Sequence, residues 1–148
     1  MELILTVEGQ NCMDIGLSKI LSEMQRELAG VLKKNNEESL NKYGTEFISI
    51  AIIPTCVDDG YWDALGWKER KQVWRKKREA DIRLRMNYDR FIHETAENQR
   101  LLFIDIVIKS IQVIQERSKG DFRGEELIAD ILNALDVTQA QLAQLNDR

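Results

Sequence analysis

Hydrophobic and polar positions alternate cleanly in the second half of the stretch KERKQVWRKKREADIRLRMNYDR, Lys68 to Arg90. There Ile82, Leu84, Met86 and Tyr88 fall on one side, and Asp81, Arg83, Arg85 and Asn87 on the other. A period of two predicts a strand with one buried and one wet face. The same period over Glu2 to Val7 predicts a first strand, with Leu3, Leu5 and Val7 together. The period then changes. Leu17, Leu21, Met24, Leu28 and Leu32 recur every three or four residues, with Ile20 and Val31 widening the stripe, so a helix is predicted from about Asp14 to Lys34. Phe47 to Ile53 is apolar except for Ser49, which predicts a central strand over Thr45–Ile53, ended by Pro54.

A third strand is predicted near Lys68–Lys76 and a fourth over Glu79–Tyr88. The turn between them lacks Gly or Asn, so a single long strand competes with the hairpin. Asp89 or Asn87 is a suitable cap for a long helix to about Ser118, apolar on most sides and therefore central. Its apolar run from Leu101 to Ile114 is interrupted by Asp105, Lys109, Ser110 and Gln112. Glu125 to Leu135 is amphipathic, and Thr138 with Gln141 forms a capping box for a short final helix. The main order is β-α-β-β-β-α-α. Short connections favour antiparallel pairing. The predicted fold is therefore α+β: a mostly antiparallel sheet of about four strands with helices packed on one face.

Length and composition add limits. At 148 residues, with 43% hydrophobic and 31% charged residues and one proline, the chain fits a single domain over 1–148. MELILTVEG alternates at once and reads as a strand, not an export signal, and no run approaches a membrane span. Cys12 and Cys56, with one histidine, make no zinc site, and free thiols in a reducing cytoplasm are expected. Net charge is −4 overall, yet Lys68–Arg90 holds ten Lys/Arg against four acids, about +6, leaving about −10 elsewhere.

Candidate chemistry is sparse. His93, with Glu94 and Glu97 nearby, would need an orienting partner and a pocket to act as a base and reads as a partly exposed helix residue, and no hydrolase, nucleotide-loop or metalloprotease motif occurs. No catalytic residue, cofactor or metal is expected; Asp58, Asp59 and Asp63 lack the alternating spacing of a calcium loop. The segment TCVDDGYWDALGW is instead read as a loop. Its acids with Tyr61, Trp62 and Trp67 form either a protein-contact surface or a lid folded back on the core. An alternative binding face comprises Lys71, Arg75, Lys77, Arg83 and Arg85, for nucleic acid or a phosphate ligand. Interleaved acids and a pI near 5.2 weigh against that reading, and a solvated face that discourages edge pairing explains the same charges.

The run KKREADIRLRMNYDRF, followed by the Arg100-Leu101-Leu102 helix and Ile106 to Ile111, resembles a family of small α+β bacterial immunity proteins. These are encoded beside polymorphic toxins, including those of contact-dependent growth inhibition. The resemblance covers about Trp67 to Ile114, and its motif carries no catalytic group. It implies a non-enzymatic cytoplasmic protein that binds and neutralises one cognate toxin domain, often a nuclease. Toxin-facing surfaces diverge within such families, so no binding residue carries over. Asp58, Asp59, Tyr61, Trp62, Asp63 and Trp67 are candidates on their own chemistry.

Overall fold

A computed structural model of the chain describes residues 2–7, 15–36, 42–45, 47–55, 72–76, 79–87, 91–117 and 122–146. The strands are β1 (Glu2–Val7), β2 (Phe47–Thr55), β3 (Gln72–Lys76) and β4 (Glu79–Asn87). The helices are α1 (Ile15–Asn36), α2 (Ala96–Arg117), α3 (Gly124–Leu135) and α4 (Gln139–Asn146).

The strands form one sheet in the order β1-β2-β4-β3. β1, β2 and β4 run parallel, and only β3 is antiparallel, paired with β4. The class is α+β, but the expected mostly antiparallel sheet is incorrect. Parallel neighbours need a long return connection. The chain has two: residues 8–46, which contain α1, and residues 56–78, which contain β3. β4 enters between β2 and β3 and so lies beside β2 in the same direction. β3 and β4 are separate paired strands, which settles the hairpin against one long strand.

Alternation decides what each strand buries. Leu3 and Leu5 sit beside Ile48 and Ile50, which sit beside Ala80 and Ile82, and all are buried. In the other rows Ile4, Thr6 and Arg83 are exposed. β2 is central, as its apolar run predicts, with Ile48, Ile50 and Ile52 fully buried. It does not end at Pro54: the strand continues to Thr55, with Pro54 opposite Met86. β1 has already ended, its last pair being Val7 with Ile52. Among the described residues Pro54 therefore meets a ladder on one side only, the edge-like setting in which a missing N–H is tolerated.

α1 packs on β1, and α2 packs on β4 and β3. α3 and α4 pack on α2, which is the hub of the helical side. Its buried positions run from Leu102 to Ile108 without a break, followed by Ser110, Ile111 and Ile114. Asp105 is among them at 2% exposure, and Ser110 donates to the Ile106 carbonyl at 2.7 Å. α2 starts later than expected. Thr95, not Asp89 or Asn87, caps it, its Oγ1 accepting from Asn98 N at 3.2 Å. Before it, Phe91 and Ile92 are helical and a turn follows at His93, in which Glu94 N donates to the Phe91 carbonyl. Phe91 is buried edge-on against Phe103, 5.5 Å between ring centres, which anchors the entry to the helix.

At the other end, α3 stops at Asp136, which takes the left-handed conformation with φ 56°. Asp136 N donates to Asn133 O and Val137 N to Leu132 O, closing the helix with a paired C-terminal cap. The Thr138–Gln141 capping box forms as predicted. Gln141 N donates to Thr138 Oγ1 at 3.2 Å, and Thr138 N to Gln141 Oε1 at 2.8 Å.

Candidate functional site

A concave surface among the described residues lies where α2 ends and α3 and α4 begin. A cleft of about 560 Å³ is lined by Gln112, Gln115 and Glu116 of α2, Glu125 and Ile128 of α3, and Gln139 of α4. A neighbouring groove of about 410 Å³ shares Gln115 and Glu125 and adds Phe122, Arg123 and Glu126. Helical spacing explains the lining: Gln112, Gln115 and Glu116 are three and four residues apart and share one stripe of α2.

Local contacts hold this corner. Gly124 N donates to Gln115 Oε1 at 2.5 Å, fastening the first residue of α3 to α2. A methyl group at Gly124 would stand 2.7 Å from Gln115 Oε1 and 3.0 Å from the Phe122 ring. A side chain there would push against the Phe122 ring and displace the Gln115 carboxamide from Gly124 N. Residues 42–45 splint α3 from the other side. Arg123 N donates to the Tyr43 carbonyl at 2.8 Å, and Arg123 Nη1 to the Lys42 carbonyl at 2.6 Å. The buried Tyr43 donates its hydroxyl proton to Asp130 Oδ2 at 2.6 Å, and Lys42 Nζ meets that oxygen at 3.0 Å.

The corner is acidic. Residues 122–146 carry Glu125, Glu126, Asp130 and Asp136 against Arg123 alone, a net of −3. Carboxylates and carboxamides dominate the cleft, and these groups accept hydrogen bonds from cationic or amide donors. Among the described residues no group of three or more His, Cys, Asp or Glu is placed to hold a metal ion.

Of the residues singled out in the sequence, Asp58, Asp59, Tyr61, Trp62, Asp63, Trp67, Lys71 and Lys77 lie outside the described residues, as do Cys12 and Cys56. Arg83 is exposed on β4, opposite Ala51 and Gln72 in the two flanking ladders. Arg85 follows two residues later, opposite Ile53. Arg75 pairs with Ala80, in a different register row from Arg83. His93 is exposed and precedes α2, in the turn after Phe91 instead of on the helix. The cleft residues carried no signal in the sequence beyond interrupting an apolar run at Gln112, because they come from three helices.

The described residues form one sheet and a helical layer, with an acidic cleft among helix ends. The Immunity protein 44 family model matches residues 1–137, nearly the whole chain, and the protein belongs to that family of immunity proteins. No curated protein and no solved structure matches the chain. No described helix is long and apolar enough to cross a membrane.

Proposed function

We propose that this immunity protein binds one cognate toxin domain in the cytoplasm and neutralises it by protein–protein contact. The observation that carries the reading is the family match across residues 1–137. Two acidic groups of residues are candidates for the contact. In the sequence, Asp58, Asp59, Tyr61, Trp62, Asp63 and Trp67 combine aromatic side chains, which anchor interfaces, with charge that steers a basic partner. The α2–α3–α4 cleft supplies a second negative patch that adds to the steering field.

The test is co-expression with the toxin encoded immediately beside this gene. Protection of the cell and a purified complex are expected; a toxin that neither binds nor is neutralised refutes the proposal. Replacing Asp58, Asp59, Tyr61, Trp62 and Asp63 together with alanine removes a binding hot spot, with an expected loss of about 2 kcal/mol or more, roughly 30-fold in Kd. The pair Glu116→Lys and Glu125→Lys in the cleft is expected to lower the association rate and its salt dependence while leaving dissociation little changed.

A further inference from the structure

The outer edge of β1 is closed by a side chain. β1 ends the sheet, and no described strand lies beyond it. Such an edge presents unpaired N–H and C=O groups to any other strand. From α1, Gln25 reaches this edge: its Nε2 donates to the Leu3 carbonyl at 2.6 Å, and its Oε1 accepts from Leu5 N at 2.6 Å. In a parallel ladder one peptide unit contacts the residues before and after its partner, donating to the first and accepting from the second. The Gln25 carboxamide does this around Ile4. Ile4 itself is 36% exposed, so an uncovered edge would carry an apolar side chain beside free backbone groups.

We propose that Gln25 acts as a one-residue strand substitute that keeps β1 from pairing with the β1 of a second copy of this chain. The free Leu3 carbonyl and Leu5 amide would otherwise form the first rung of an intermolecular sheet. The half-buried Gln25 sits one position after Met24 of the α1 stripe, so its stem is held by packing while its head group reaches the edge.

Amide exchange and sedimentation velocity test this. In the unmodified protein the Leu5 amide should exchange about tenfold or more slowly than the Leu3 amide on the same strand; equal rates overturn the proposal. Gln25→Met keeps the size of the side chain and removes both hydrogen bonds. It should accelerate Leu5 exchange and produce a concentration-dependent dimer or larger species that the unmodified protein does not form. Adding Ile4→Lys should restore the original state, because two lysines would face each other across the new strand pair. An unchanged oligomeric state in Q25M, or association that Ile4→Lys does not reverse, overturns it. The wild-type exchange comparison decides the matter if Q25M does not fold.

Discussion

Two helical glycines, Gly30 and Gly124, should respond to the same substitution with opposite signs. Gly30 lies inside α1, is exposed, and an added methyl would meet nothing within 4 Å. Gly30→Ala then removes only the backbone-entropy cost of glycine in a helix, a gain of about 1 kcal/mol. Gly124 begins α3, and the same methyl would stand 2.7 Å and 3.1 Å from Gln115 Oε1 and Cβ, and 3.0 Å from Phe122. Phe122 is buried, and Gln115 is already bonded to Gly124 N, so both neighbours resist displacement. Overpacking costs about 1–3 kcal/mol, and losing the Gln115 bond about 1 kcal/mol more. Part of this is returned by the better helix former, leaving Gly124→Ala destabilised by about 1–3 kcal/mol. Urea titrations followed by circular dichroism would place the two midpoints on opposite sides of the unmodified protein at an unchanged slope. In thermal melts the gap corresponds to roughly 2–4 °C per kcal/mol for a chain of this length. A Gly124→Ala protein as stable as the original would refute the claim that this close approach fixes the mouth of the cleft. Loss of stability in Gly30→Ala would refute the claim that this side of α1 is open.

Tyr43→Phe removes the hydrogen bond to Asp130 while leaving Lys42 on the same carboxylate, and should cost about 1–2 kcal/mol in a urea titration. Asp136→Gly relieves a left-handed aspartate and removes a negative charge from the C-terminal end of α3; calorimetry should show a gain of about 0.5–1 kcal/mol. Arg100→Ala breaks the 3.2 Å pair with Glu27, but both side chains are about 40% exposed (39% and 44%), so stability should change by no more than about 0.5 kcal/mol.

Local pattern by itself determined much of this protein. The alternation that buries Leu3, Leu5, Ile82 and Leu84 is visible in the chain, because a pleated strand sends neighbours to opposite faces. The three- and four-residue spacing of Met24, Leu28 and Leu32, and the Thr138–Gln141 box, are equally local. Tertiary structure decided the rest. Alternation reads the same in either direction, so it cannot distinguish parallel from antiparallel neighbours. The direction followed from where β4 was inserted. Asp89 and Asn87 are as plausible caps as Thr95 until the burial of Phe91 against Phe103 holds the preceding turn apart from α2. Asp105 interrupts an apolar run, yet its place on the hub helix buries it. Gln25, Gln112, Gln115, Glu125 and Gln139 look like ordinary surface residues of separate helices. Their roles, one at a strand edge and the others in a shared cleft, depend on distances between elements far apart in the chain, which only packing sets.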